Sequence, residues 1–182
     1  MLPVRFPGPF GTSKRLDIAG KFIGGSNYNF RVMEITEIAL EECRSVLAES
    51  SFGRLGCCFD NRPYIVPIFF AFESDYLYVL STLGQKIEWM RQNPNVCVLV
   101  DRITGETQWA SVIVNGSYQE LVEPRFTEER NRARKLLEGR ARWWQNPLAE
   151  RRLKSNEELI DPLFFRIHVD SLSGLRAVDQ AA

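Results

Sequence analysis

The sequence has no net charge. Over its 182 residues, 23 lysines and arginines balance 23 aspartates and glutamates. That balance leaves no basic field to hold nucleic acid and no acidic tail. It also removes one electrostatic barrier to self-association. Histidine occurs once, as His168, which excludes a multi-histidine metal site. The four cysteines include the adjacent pair Cys57 and Cys58, and none has zinc-type or redox-type spacing. Buried free thiols in a reducing, cytoplasmic setting are therefore expected. No apolar run approaches the length of a membrane span, and the first residues lack the continuous apolar stretch of a secretory signal. Neither a Gly-x-Gly-x-x-Gly fingerprint nor a Walker loop is present. These absences lead to the expectation of a globular protein in a cytoplasmic setting, with no membrane and no nucleic acid as partner.

What is present centres on residues 53–120. Two β-rich runs, residues 64–72 and 76–80, flank the polar Glu73-Ser74-Asp75 and read as a hairpin. Further strands are expected over 53–59, 96–102, 109–120 and 163–172. Asp60-Asn61-Arg62-Pro63 reads as a turn. Gly116 marks a bulge or bend. Pro67 cannot donate to a ladder, so it belongs at an edge, a bulge or a ligand. Thr36 is a good N-cap for a helix to about Glu49, with Leu40, Cys43 and Leu47 on one face. A short helix is expected over 85–92, closed by Asn93-Pro94. Ala133, Leu136, Leu137 and Ala141 give a later charged segment a helical stripe, whose arginines and glutamates read as a solvated face.

Residues 1–32 are rich in Gly, Pro, Ser and Asn without a sustained period and read as an irregular extension. The alternative is an arm that wraps a partner subunit. Residues 33–178 form the expected domain, with Met33 at its start, and 179–182 a tail. Trp143 and Trp144 must pack somewhere, either in the core, at a dimer contact or over a ligand. His168 reads as a surface residue of the last strand.

Ser81-Thr82-Leu83-Gly84 ends a strand just before a helix begins at Gln85. Free amides at a helix start, small hydroxyls and the full charge of Lys86 make a phosphate seat. The same residues serve equally well as a turn and a cap.

Gly53-Arg54-Leu55-Gly56, Pro63 to Ile68, Gly84-Gln85-Lys86 and Asn93-Pro94 together resemble the pyridoxamine 5′-phosphate oxidase-related FMN-binding split barrels, in particular their nitroimidazole-resistance and general-stress branch. The resemblance implies a mainly β fold: a six-stranded antiparallel split β-barrel with flanking helices. It implies a homodimer with FMN at the interface. Val66, Pro67, Ile68 and Phe69 would line the ring and ribityl chain. Leu80, Ser81 and Thr82 would flank the phosphate, which Gln85 and Lys86 would bind. Trp109 and Ser111 would reach the ring. The oxidases of this family carry an arginine at the place of Tyr64 and a lysine at the place of Phe69, and end in an Arg-Leu-His-Asp-Arg type motif. This sequence has none of these, which points away from vitamin B6 oxidation. The function implied is an FMN-dependent oxidoreductase that reduces a small organic molecule. The rival readings are a flavin-binding stress module with little turnover and a haem-handling split barrel.

Overall fold

Asp60 and Asn61 both adopt positive φ, 50° and 57°, the geometry a two-residue hairpin turn needs. They join β2 (Phe52–Phe59) to β3 (Arg62–Glu73) in an unbroken antiparallel register from Phe52↔Phe69 to Phe59↔Arg62. The turn is shorter than expected, because Arg62 and Pro63 already pair. Ser74, at φ 56°, and Asp75 likewise turn β3 into β4 (Tyr76–Ser81), so Glu73 belongs to the strand. The structure is a computed structural model and describes residues 33–105, 108–138 and 163–179. The expected 1–32 extension, the Trp143-Trp144 pair, Ala141 and residues 180–182 lie outside the described residues.

The remaining elements are β1 (Met33–Glu37), α1 (Leu40–Glu49), α2 (Gln85–Gln92), β5 (Asn95–Ile103), β6 (Trp109–Glu120), α3 (Thr127–Glu138) and β7 (Leu163–Asp179). All pairings are antiparallel. The order β7-β4-β3-β2-β5-β6 closes through β6–β7 into the expected six-stranded barrel, and β1 adds a seventh strand beside the far end of β7.

Three expectations near the ends need correction. Thr36 does not cap a helix. It pairs with Arg176 in β1, and α1 begins at Leu40 behind Ala39, which makes no side-chain cap bond. The buried face of α1 is Cys43, Val46 and Leu47, while Leu40 is exposed. The last strand does not stop at Ser173-Gly174. It runs on to Asp179, and Gly174 is small for packing reasons: an added Cβ would stand 2.7 Å from Ile38 and 2.9 Å from the Cys43 sulfur.

Alternation along the strands sends Leu55, Ile68, Phe70, Leu77, Val79, Val98, Val112, Val114, Phe165 and Ile167 into the barrel. Cys43, Val46 and Leu47 of α1 and Ile87 and Met90 of α2 complete that core. Each large side chain buried there contributes about 1.5–3 kcal/mol. A second cluster lies outside the wall, where Ala133 and Leu137 of α3 cover Ala71, Tyr78, Leu121 and Phe164. β3 is apolar on both faces over residues 68–72, and part of each face is covered within one chain. Phe70 and Phe72 face the core and Ala71 lies under α3, so Phe70 and Phe72 add nothing to an exposed patch.

Candidate functional site

The barrel is split at β3. On one side β3 pairs with β2 along Arg62 to Phe69, but on the other β4 pairs only with Phe70–Glu73. Among the described residues, no strand runs along the second edge of residues 62–68. The Phe70 amide donates to the Ser51 carbonyl, so alternation turns the peptide groups of Ile68, Val66 and Tyr64 toward β2. The nitrogens of Pro63 and Pro67 then face the open edge, where a missing N–H costs no ladder bond. The Pro67 carbonyl and both peptide groups of Ile65 face the same opening. Ile68 does not, since its side chain is in the core and its backbone is committed to β2. Val66 packs partly against the core, and Pro67 and Ile65 are exposed. Phe69 sits edge-on to Phe52 at 5.0 Å.

Helix α2 closes one side of this opening. Trp89 packs against Tyr64 at 5.5 Å and Phe59 at 6.2 Å, and Asn93 Nδ2 donates to the Cys58 carbonyl. The helix starts at Gly84, whose carbonyl accepts from the amides of Ile87 and Glu88. Gln85 and Lys86 are its first two residues, and their amides have no hydrogen-bond partner among the described residues. Lys86 is half-buried beside Cys57 and has no ion-pair partner among the described residues. Burial holds its ammonium below the usual lysine value, and the neighbouring Cys57 offsets this in part. Burial in turn pushes the Cys57 thiol up. A desolvated cation without a counter-ion at a helix start can hold an anion. Ser81 and Thr82 end β4 just before this turn. The Ser81 hydroxyl donates to the Thr82 carbonyl, and Leu80 leans toward the α3 cluster.

Trp109 and Ser111 lie elsewhere on the wall. Ser111 of β6 pairs with Asp101 of β5, whose carboxylate accepts from Arg54 of β2 on the outer face. Strands β2 and β5 stand between Phe69 on β3 and Ser111 on β6. Within one chain, then, Ser111 and Trp109 are not brought to the Lys86 seat. Ser111 instead lines an apolar groove of about 560 Å³ with Ile38, Leu40, Ile113, Leu172 and Leu175. The outer face between groove and opening exposes Ile65 (68%), Phe52, Ile113 and Leu175. Its one ion pair among the described residues is Arg54 with Asp101.

A smaller cleft of about 190 Å³ is lined by Leu83, Arg91, Glu120, Leu121, Val122, Arg130 and Leu163. Arg91 donates twice to Glu120, which also accepts from the Tyr118 hydroxyl. The Arg91 bonds hold the Glu120 carboxyl below its usual range. This cleft was not foreseen. Arg130 sits in a charged segment whose pattern indicates only a solvated face, and Arg91 sits near the end of the short helix α2.

His168 is half-exposed, its Nδ1 2.6 Å from Asp170 and its ring edge-on to Tyr76. Ser117 is its cross-strand neighbour, yet no hydrogen bond joins them among the described residues. A working Ser-His-Asp relay is not assembled. The described residues hold no cluster of three potential metal ligands. No described helix is long and apolar enough to cross a membrane, and Cys43, Cys57, Cys58 and Cys97 are all free.

Comparison with known proteins bears on this geometry. The family described as pyridoxamine 5′-phosphate oxidase matches residues 39–176. An uncharacterized protein of Rhizobium meliloti (strain 1021) is 37% identical over 150 residues, 80% of this chain and 97% of its own length. The solved structure of a FAD-binding protein from Mesorhizobium loti is 34% identical, covers 81% of this chain and 99% of its own, and superposes with a TM-score of 0.67. A FAD-binding protein from Mycobacterium smegmatis, 21% identical, covers 80% of this chain and 98% of its own at a TM-score of 0.54 and shares the fold.

Proposed function

The chain belongs to the pyridoxamine 5′-phosphate oxidase family, and from that premise we propose that it is a flavin-dependent oxidoreductase acting on a small organic molecule, as a homodimer. The observation that carries this reading is Lys86: a half-buried cation without an ion-pair partner among the described residues, at a helix start beside an open strand edge. Lys86 and the first amides of α2 would hold the cofactor phosphate, with Ser81, Thr82 and Gln85 around it. The Pro67 carbonyl and the Ile65 peptide would hydrogen-bond the ring edge, and Val66 and Phe69 would exclude water from it. Bound flavin would supply the hydride or electron relay, so no protein acid or base is required.

The two solved relatives described as FAD-binding support a flavin, and the seat described here reads the part that FMN and FAD share. The position of Ser111 and Trp109, far across the exposed apolar face, supports a shared site. A two-fold copy laid on that face would bring the partner's wall to the opening. The haem alternative has little to recommend it, since the lone histidine is tied to Asp170 on the surface. Anaerobic mixing of the flavin-loaded protein with NADH or NADPH tests the oxidoreductase reading. Bleaching of the flavin band, restored by an organic acceptor, is expected. A flavin that neither donor reduces would favour a binding module.

A further inference from the structure

At Leu175 strand β7 is flanked on both sides. Glu37 of β1 pairs with it from one side and Ser111 of β6 from the other, so the three side chains share a face. Two residues earlier along β7, Ser173 keeps its neighbour Ile113 on β6. On its other side no described strand pairs with it, because β1 ends at Glu37. There the chain leaves the sheet: the Ile38 amide donates to the Gly174 carbonyl, and α1 begins at Leu40. This departure opens the apolar groove of about 560 Å³. Small-molecule sites span roughly 300–1,000 Å³, so the groove is large enough for a ligand of its own.

The charge in the groove is of one sign. Glu37 is the only charged residue among those that line it, and its carboxylate has no ion-pair partner among the described residues. The cations nearby are matched: Arg176 of β7 donates to Glu42, and Arg54 of β2 to Asp101. The start of α1 carries a partial positive charge without a side-chain cap, and Glu41 and Glu42 in its first turn offset that charge. An anion in the groove would therefore meet Glu37 with no free cation to balance it among the described residues. The hydroxyls of Ser111 and Ser173 have no hydrogen-bond partner among the described residues and can hold a neutral polar group. We propose that this groove binds the organic substrate, and that the substrate is an apolar molecule without negative charge, its polar group held by Ser111 and Ser173. This rests on the shared-site reading above, in which Ile113 and Leu175 face the partner, and it specifies the substrate class.

Three probes with one apolar body test it: naphthylmethanol, naphthylmethylammonium and naphthoate. Each is titrated by calorimetry into the full-length protein at low salt, and the flavin content of each preparation is read from its absorption. The alcohol and the ammonium should bind at least about fivefold more tightly than the carboxylate, the effect of one like-charge contact partly exposed to water. Glu37→Gln should erase most of that difference and leave the affinity of the alcohol unchanged. Ser173→Trp, at an exposed position, should fill the groove, abolish binding of all three probes and leave the flavin content as in wild type. Equal affinity of wild type for the three probes, tighter binding of the carboxylate, or no binding at all would overturn the proposal. So would a Glu37 variant that keeps the full discrimination, or a Ser173 variant that still binds the probes. A Ser173 variant that loses its flavin as well would overturn it too, since the groove would then be part of the cofactor seat. Discriminating probe binding by a protein that neither holds nor takes up flavin would uphold the ligand class of the groove and overturn the flavin reading instead.

Discussion

Gly116 lies so close to His168 that an added Cβ would stand 2.2 Å from the His168 carbonyl oxygen and 2.8 Å from Ile167 Cγ2. Here β6 and β7 slip register. Asn115 pairs with Ser171 and Gly116 with Val169, leaving Asp170 as the extra residue. The bulge bends the seam that closes the barrel.

Gly116→Ala should therefore destabilise the protein by about 1–3 kcal/mol, the usual cost of overpacking. Gly56→Ala is the control. Its added Cβ would meet nothing nearer than 3.6 Å, so it should stay within about 0.5 kcal/mol of wild type. Urea unfolding of both variants checks the contrast, and equal stabilities would remove the role given to the bulge.

Lys86→Ala should weaken flavin binding by about tenfold to a hundredfold, since a charge-assisted hydrogen bond contributes roughly 1.5–3 kcal/mol. Quenching of flavin fluorescence measures it. An unchanged affinity would remove Lys86 from the seat.

The same lysine sets a pH dependence. Burial lowers its folded pKa below the ordinary value, so between the two values the unfolded chain holds more protons than the folded one. Stability of the flavin-free protein should rise with pH across that alkaline window. A bound phosphate reverses the preference by favouring the charged form, so flavin affinity should fall as pH rises through the lowered value. Lys86→Met should lack this component. Affinities of both proteins measured across the window decide it, and identical pH profiles would contradict the assignment.

Two truncations separate the extension from the first strand. A chain starting at Met33 keeps β1 and its full register with β7, and should unfold cooperatively and bind the same flavin. A chain starting at Leu40 loses β1 and Ile38, which packs against Gly174, and should be less stable by several kcal/mol. Thermal unfolding compares them. If the first truncation were as damaged as the second, residues 1–32 would have to be structural.

The hairpins were legible because local chemistry dictates them. Asp60-Asn61 accepts positive φ, and the runs around it alternate. Pro67 was legible as an edge position for the same kind of reason. β1 was hidden by Thr36, whose hydroxyl suits an N-cap and whose pairing with Arg176 depends on a contact across the whole chain. Ser173-Gly174 looks like a turn, yet the glycine answers to Ile38 packing, which no local pattern reveals. The Lys86 seat could be read from a strand end, a glycine and a helix start. The opening beside it could not, because it exists only where β4 stops pairing with β3. The Arg130 cleft was illegible because it joins α2, α3 and the ends of β6 and β7.

The exposed face that carries Ile65, Phe52, Ile113 and Leu175 should be the dimer contact. Ile113→Asp leaves the core untouched, since Ile113 is on the outer face, and should shift sedimentation toward monomer and weaken flavin binding. A variant that remains dimeric with full flavin affinity would move the contact elsewhere.

The most direct test of the central claim is the absorption spectrum of the purified full-length protein, with the mass of whatever small molecule it releases on denaturation. A flavin spectrum, about one flavin nucleotide per chain, and its loss in Lys86→Ala are the expected results. A colourless protein whose tryptophan fluorescence responds to neither FMN nor FAD, or a haem band in place of a flavin one, would contradict the account.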